Sequence, residues 1–261
     1  KTNHNESLLV RVFAVQHEVH PSVGYVICRQ LPQKLRPEFE GLPATEIRDL
    51  VQQRITIKAD VEIVAEIAYT GDTCKEGLCA GGAHIKSQSE LSTQICDSDR
   101  SMIHLCQAFQ ASIIFCELTY LDNRFGSLKG GNSKEPWSRG HMAIGDVAEV
   151  ISSHGWDRMN FARNSQRIVF FHLSARHGPA TTALDLLLQG LPDWLIPRCY
   201  AAIYAILSNA EKRGGSYFPI ELVEDSGCIS LAAYKAARYK TGTSISYKQP
   251  DTSNNDLDKN L

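Results

Sequence analysis

The sequence predicts an α/β layered domain, because apolar runs typical of buried strands alternate with segments of helical periodicity. The strand-like runs are LLVRVFAV (8–15), VGYVIC (23–28), the segment 55–70, and the runs that end at Glu117 and His172. The helical segments are a short one with Thr45 as its N-cap, followed by 140–155, 180–192 and 198–213. Turn residues such as those of HEVHPS separate these segments, which favours compact packing of successive elements.

Length and composition predict one large globular domain. The chain has 261 residues, of which 43% are hydrophobic, and this is enough for one sizeable core. A net charge of −2 gives no overall attraction to nucleic acid or to a membrane surface, although a local basic groove remains compatible with it. No apolar run approaches the roughly 18 residues that span a bilayer, so we expect no membrane partner.

The cysteines and the first residues bear on compartment and completeness. Eight unevenly spaced cysteines in a chain of this length do not form a disulfide framework, which favours a reducing compartment. An intracellular, cytoplasmic location fits this best, although the sequence does not specify the compartment. The chain opens with KTNHNESLLV and has no initiator Met, so we expect it to begin within a longer protein.

Three apolar runs end in an acidic or metal-competent residue: Asp72 follows IAYTG, Glu117 follows IIFC, and His172 follows IVFF. Strand ends at the edge of a layered α/β domain are a usual place for functional sites. Gly71 would let the backbone approach a bound ion closely. Each residue also has a simple structural interpretation: a turn acid for Asp72, an ion-paired strand end for Glu117 and a core histidine for His172.

Six segments in a fixed order carry a resemblance to a known family. They are QHEVHPSVGYVI (16–27), KLRPEFEGLPATEIRDL (34–50), IAYTGDT (67–73), CELTYLD (116–122), RGHMAIGDVAEVI (139–151) and FFHLSARHGP (170–179). In this order they resemble the C-terminal part of the tRNase Z (ribonuclease Z) group of the metallo-β-lactamase superfamily. The resemblance covers roughly residues 10–195, with gaps at 74–104 and near 155–166.

The resemblance implies a metallo-β-lactamase-like αββα sandwich whose N-terminal half is apparently missing. Residues 1–200 would form the C-terminal part of that domain, and the polar segment 74–104 would be a surface insertion. Residues 201–240 would form a helical extension, and the polar tail 241–261 would be disordered. Without its first half, such a sandwich would expose one sheet edge and one core face.

The resemblance also implies a zinc site. Shortly before Gly-Tyr the family has a zinc-binding histidine, which indicates His17, with His20 as the rival in the same stretch. Asp72 occupies the place of an aspartate that bridges two zinc ions, and His172 that of a histidine that binds the second ion. Two zinc ions about 3.5 to 4 Å apart can hold a hydroxide between them and polarise a phosphodiester.

Three further residues acquire roles from the same resemblance. His141 stands where the family has a histidine thought to assist proton transfer to the leaving group, although it could also act as a cap of the following helix. Ser174 and Arg176 would face the substrate phosphate, since a guanidinium can pair with two phosphate oxygens. The function that the resemblance implies is that of a zinc-dependent phosphodiesterase or endoribonuclease acting on precursor tRNA or another phosphodiester, with a homodimer left open.

One part of the family pattern is absent. The main metal motif of the family is His-x-His-x-Asp-His, and no two of the nine histidines in this chain are separated by one residue. Either the chain is a fragment of a longer enzyme, or it is a degenerate relative that has lost catalysis. Two other interpretations stay open: a different hydrolase on the same fold, and a binding protein without catalytic activity.

Overall fold

The computed structural model describes residues 7–17, 22–79, 97–121, 140–156, 166–173, 180–202, 222, 224 and 227–240. In these ranges the chain is mixed α/β, with seven strands in one sheet and six α-helices. The strands are β1 (Ser7–Val15), β2 (Ser22–Gln30), β3 (Ile63–Tyr69), β4 (Ile113–Glu117), β5 (Arg167–Phe171), β6 (Cys199–Ala202) and β7 (Cys228–Ser230). The predicted α/β class is confirmed.

The strand order in the sheet follows the order in the chain, from β1 to β7. The first three strands pair antiparallel, β3 to β6 pair parallel, and β7 pairs antiparallel with β6. Since β1 and β3 both run antiparallel to β2, they run in the same direction as β4 and β5. The carboxyl ends of β1, β3, β4 and β5 therefore lie at one edge of the sheet.

The helices are α1 (Ala44–Gln52), α2 (Lys75–Leu78), α3 (Asp97–Ala108), α4 (Ile144–Ser153), α5 (Ala180–Gly190) and α6 (Leu231–Lys240). Helix α3 packs on β1, β2 and β3, and α6 packs on β6, β7 and α5. Helices α4 and α5 approach closely at Gly190, where a Cβ would stand 2.5 Å from the side chain of Ile144. One hydrophobic cluster joins the sheet to these helices.

One face of the sheet forms this core. Its residues alternate along each strand and are nearly inaccessible, as expected for side chains that point to one side of a pleated sheet. They include Phe13, Val26, Ala68, Ile114, Phe170, Ala201 and Ile229. The opposite face is also apolar, and on β1 to β3 it is exposed within the described residues.

Helices α5 and α6 are joined by a buried polar contact. The Tyr234 hydroxyl donates a hydrogen bond of 2.9 Å to Asp185, and the Arg238 guanidinium donates one of 3.0 Å to the other oxygen of that carboxylate. Asp185 is only 6% exposed, so these donors supply the partners that a buried carboxylate requires.

The segment 74–104 is not a surface insertion where the structure describes it. Leu78 of α2 is fully buried, and Met102 of α3 packs against the core. The polar composition of the segment suggested a surface loop, but the apolar residues of α3 lie against β1, β2 and β3. Residues 80–96 lie outside the described residues.

The predicted helix over 198–213 is wrong at its start. Cys199 and Ala201 pair with Ile168 and Phe170 of β5, so this run forms the strand β6. An alanine-rich run favours a helix locally, but the hydrogen-bonding edge of β5 decides the outcome. The expected boundary at residue 200 therefore falls inside a strand, and 203–213 and 241–261 lie outside the described residues.

The first helix begins two residues earlier than predicted, with its N-cap at Pro43 instead of Thr45. Thr45 lies inside α1, and Pro43 precedes the helix in extended conformation, without a side-chain cap hydrogen bond. No residue of α1 is buried.

Among the described residues, no helix is long and apolar enough to cross a membrane.

His154 follows α4 and lies partly buried beside the core residue Phe109. Its ring stacks on Phe109 with centroids 3.7 Å apart, and its Nε2–H donates a hydrogen bond of 2.7 Å to the Leu78 carbonyl. Its Nδ1 atom is buried and has no hydrogen-bond partner. A proton added at Nδ1 would therefore be unsatisfied, and burial lowers the pKa of His154 to about 4.

We predict that this histidine destabilises the fold as the pH falls. In the unfolded chain His154 takes up a proton near pH 6.5, whereas in the folded chain it does so only near pH 4. Between these values the unfolded state binds more protons, so the free energy of unfolding should fall by up to about 1.4 kcal/mol per pH unit. Urea denaturation of wild type and His154→Gln from pH 7 to pH 4 measures this difference, and parallel curves would contradict the prediction.

Candidate metal centre

The candidate site lies where the carboxyl ends of β1, β3, β4 and β5 meet. Asp72 follows β3, Glu117 is the last residue of β4, and His172 follows β5 directly. His17 follows β1, and His141 comes just before α4. Two backbone hydrogen bonds connect the chain just after the strands to the neighbouring strand. Thr70 N–H donates to the Phe115 carbonyl and Leu118 N–H donates to the Phe171 carbonyl, each at 3.0 Å.

Glu117 is the centre of the site, and its carboxylate is completely buried. Oε2 accepts a hydrogen bond of 2.9 Å from the Met142 backbone N–H, and Oε1 accepts a short one from the Thr119 hydroxyl. Removing an ionised carboxylate from water costs several kcal/mol unless donors replace the lost hydration. These two donors, together with the imidazoles of His141 and His172, therefore account for a carboxylate at this position.

Two histidine rings face this carboxylate. His141 Nδ1 lies 3.3 Å and His172 Nδ1 lies 3.6 Å from Glu117 Oε1. The pKa of His172 is raised, chiefly by its interaction with Glu117 and further by the charge of Asp72, against the opposing effect of burial. The Nδ1 atom of His141 is buried and makes no contact of hydrogen-bond geometry, in spite of the short distance.

Thr119 fixes the tautomer of His172. Its hydroxyl has a single hydrogen, which it donates to Glu117, so it accepts at its oxygen from His172 Nδ1 at 2.8 Å. His172 Nδ1 therefore carries a hydrogen, and Nε2 has a free lone pair. A histidine that donates one ring N–H to a fixed acceptor and offers the other nitrogen is the usual form of a metal ligand.

Asp72 and His172 form the open side of the site. Their side chains are 42% and 44% exposed, and Asp72 Oδ1 lies 3.8 Å from His172 Nδ1. His172 has a φ of 64°, in the left-handed region that a residue with a Cβ rarely occupies. Such conformations are concentrated at functional sites, where the surrounding structure maintains them.

His17 lies next to His141. The ring centroids of His17 and His141 are 5.2 Å apart, and those of His141 and His172 are 5.1 Å apart. The predicted residues His17, Asp72, His141 and His172 therefore occupy one neighbourhood, although the role of each stays a prediction. The rival His20 and the predicted phosphate contacts Ser174 and Arg176 lie outside the described residues.

Sequence reasoning named Glu117 as an acidic or metal-competent strand end, with an ion-paired strand end as the alternative, but it gave no role to Thr119. An acidic residue in a fully buried strand is a signal of a functional or paired carboxylate. Thr119 had no recognisable signal, because a threonine after a strand is common. Its importance comes from its contacts with Glu117 and His172.

The donor set fits a divalent cation. Among the described residues, Glu117, His141 and His172 offer ligand atoms that all lie within 4.8 Å of one another. Glu117 is nevertheless fully enclosed and already accepts two hydrogen bonds, so it is better placed to orient the histidines than to bind the ion.

Comparison with known proteins adds no assignment. No family model matches the chain, and no curated protein matches it. The residues and their geometry therefore carry the functional argument.

Gly71 allows the chain to turn from β3 to Asp72. It has a φ of 70°, and a Cβ at this position would stand 2.5 Å from the Val23 carbonyl oxygen. A side chain here would therefore add a backbone clash to the strain of the left-handed conformation.

We predict that Gly71→Ala destabilises the protein more than Gly41→Ala does. Gly41 has a φ of 84° with nothing within 4 Å of its ideal Cβ, so its substitution measures conformational strain alone. Strain of this kind costs about 1–3 kcal/mol, and the clash at Gly71 should add to it. Urea denaturation of the two variants measures the difference, and equal losses would show that Val23 moves aside freely.

Proposed function

We propose that the chain is a zinc-dependent phosphodiesterase resembling tRNase Z endoribonucleases, on a metallo-β-lactamase-like αββα fold. The described residues would supply one sheet of that fold with its helices. The observation that carries the proposal is the meeting of His17, Asp72, His141 and His172 at one sheet edge. These residues are distant in sequence, and the resemblance of the six segments assigns all four to one site.

Three of these side chains would hold the ion. His172 offers Nε2 and Asp72 offers an exposed carboxylate oxygen, and His17, whose ring centroid lies 5.2 Å from that of His141, would supply the third ligand. Three protein ligands with a fourth position for water is the arrangement of a catalytic zinc. The two ions that the resemblance implies would need ligands beyond these three. When bound, zinc would polarise a phosphodiester and lower the pKa of a bound water.

His141 would serve proton transfer. Its Nδ1 faces the buried carboxylate of Glu117 at 3.3 Å, which directs Nε2 away from that carboxylate. The side chain is 18% exposed, so it is accessible from one side only. Nε2 would give a proton to the departing oxygen of the substrate, and Glu117 would fix the ring in position, as carboxylates do for catalytic histidines.

The proposed substrate is precursor tRNA, with other phosphodiesters as the broader class. The net charge of −2 does not attract RNA over the whole surface, so binding would depend on local contacts. Ser174 and Arg176 are the residues that the resemblance proposes for the substrate phosphate.

A second candidate function is that of a relative without catalysis. The observation that favours it is the missing His-x-His-x-Asp-His motif, which leaves fewer ligands than the family uses. In such a protein the histidine and carboxylate cluster would serve stability, with Glu117 held by Thr119 and Met142. The zinc content of the protein distinguishes the two candidates.

We predict that the purified chain binds zinc through Asp72 and His172. Replacing either residue with alanine removes one of three ligands and should lower zinc affinity at least tenfold to a hundredfold, as measured by calorimetric titration of metal-free protein. His104→Ala is the matched control, because His104 lies on α3, away from the site, where its ring contacts the Val12 carbonyl of β1. A wild-type protein that binds no zinc would favour the relative without catalysis.

We predict that His141→Ala lowers the rate of RNA cleavage much more than the rate of cleavage of a phosphodiester with a better leaving group. Cleavage of RNA requires a proton for the leaving oxygen, whereas 4-nitrophenolate leaves without one. The variant should therefore lose about 10²- to 10⁴-fold in RNA cleavage but much less with bis(4-nitrophenyl) phosphate. Asp72→Ala should abolish zinc-dependent hydrolysis of both. Equal losses on both substrates in His141→Ala, with zinc content retained, would remove His141 from the role of proton donor.

A further inference from the structure

Thr119 lies two residues after the end of β4, beside the buried carboxylate of Glu117. Its backbone N–H donates a hydrogen bond of 3.2 Å to the Met142 carbonyl. The next residue, Tyr120, donates to the same carbonyl and forms a parallel bridge with Ala143. The backbone around Thr119 is thus tied to the segment that precedes α4. The position of the Thr119 hydroxyl is therefore set by backbone contacts of the fold.

His172 needs a contact outside its own segment to hold its ring in one state. The side chain is 44% exposed, and a neutral imidazole carries its hydrogen on either of the two ring nitrogens. A metal ion binds a nitrogen that carries no hydrogen, so only the Nδ1–H form of His172 offers Nε2 as a ligand. Water can satisfy both forms, so the protein groups around Nδ1 decide between them.

Three oxygen atoms lie near His172 Nδ1, and their distances decide which of them accepts its hydrogen. Thr119 Oγ1 is at 2.8 Å, Glu117 Oε1 at 3.6 Å and Asp72 Oδ1 at 3.8 Å. A hydrogen bond from an N–H group to oxygen has its heavy atoms about 2.7–3.2 Å apart, and the two longer distances fall outside this range. Of these three oxygens, the threonine hydroxyl is the acceptor, and the two carboxylates act on the ring as more distant charges.

The burial of Glu117 determines the direction of these hydrogen bonds. The Met142 N–H donates to Oε2 of this fully enclosed carboxylate, and the Thr119 hydroxyl donates to Oε1. If the hydroxyl donated to His172 instead, Oε1 would lose this donor, which is costly for an ionised oxygen in the interior. The hydroxyl therefore keeps its hydrogen on the side of Glu117 and turns a lone pair toward His172.

We propose that Thr119 is a positioning residue for the ion: its hydroxyl holds His172 in the Nδ1–H form and thereby sets the affinity of the site for zinc. The effect on affinity rests on the proposed zinc-dependent function, since Thr119 acts on the ion only through His172. A ring held by a fixed acceptor binds without rearrangement, whereas an unheld ring must give up rotation and its other tautomer. Loss of the hydroxyl should therefore weaken zinc binding although every ligand atom remains in the chain.

Thr119→Val and Thr119→Ser test this role in the full chain. Valine has nearly the shape of threonine without the hydroxyl, whereas serine keeps the hydroxyl. Zinc affinity, measured by calorimetric titration of metal-free protein, should fall about tenfold to a hundredfold in Thr119→Val, as it does when the partner of a ligating histidine is removed. Thr119→Ser should restore the wild-type affinity, which a general loss of packing at this position would not allow.

The tautomer of His172 is measured separately, in metal-free protein. Nitrogen-15 NMR of histidine-labelled protein at about pH 9, where imidazole rings are neutral, shows which ring nitrogen carries the hydrogen. The signal of His172 is assigned by its loss in His172→Gln. In the wild type this signal should be that of the Nδ1–H form, and in Thr119→Val the Nε2–H form should appear.

Thr70→Val is the matched control for the tautomer. Thr70 is fully buried, and its hydroxyl contacts the Glu117 backbone N–H and the Gly71 carbonyl instead of a histidine ring. This variant should therefore keep His172 in the Nδ1–H form, even if the fold becomes less stable. A change of tautomer in Thr70→Val equal to that in Thr119→Val would overturn the proposal, because loss of any buried hydroxyl near Glu117 would then suffice.

Two further results would also overturn the role of Thr119. One is a wild-type His172 in the Nε2–H form, and the other is a Thr119→Val variant that keeps the Nδ1–H form or the wild-type zinc affinity. Failure of the proposed function gives a different result. A wild-type chain that binds no zinc, but shows the expected tautomers, would overturn that function together with the effect on affinity, and it would support the hydrogen bond from His172 to Thr119.

Discussion

The parallel pairing of β3, β4 and β5 is the constraint on which the site depends. These strands are adjacent and run in one direction, so residues at or just after their carboxyl ends lie at one edge of the sheet. These residues are Asp72, Glu117 and His172. His17 follows β1 and lies at the same edge, because β1 and β3 both pair antiparallel with β2 and therefore run in the same direction. No local sequence motif could bring these four residues together.

At this edge a buried carboxylate organises its neighbours. Glu117 requires hydrogen-bond donors, and it obtains them from Met142 and Thr119, while the rings of His141 and His172 face it at 3.3 and 3.6 Å. The same contacts orient His141 and fix the tautomer of His172. The energetic requirement of one buried charge thus prepares the side chains that the proposed chemistry would use.

The two apolar faces of the sheet have different surroundings. One face forms the core with the helices, and it holds the strand ends in register. The other is open on β1 to β3 and continues to the site, since Tyr69 stacks on Phe171, one residue before His172, with ring centroids 4.7 Å apart.

The sequence by itself determined the α/β class and the elements whose periodicity is strong, such as β1, β4, β5, α4 and α5, because alternation and helical spacing are local properties of the chain. It also indicated Asp72, His141 and His172 as site residues, through the resemblance of short segments. Tertiary structure alone decided that α3 packs on the sheet and that residues 199–202 form a strand, since burial against β1–β3 and the free edge of β5 outweigh local composition. It alone also joined Thr119 to Glu117 and His172, because a hydrogen bond between residues 53 positions apart depends on the fold and leaves no mark in either local sequence.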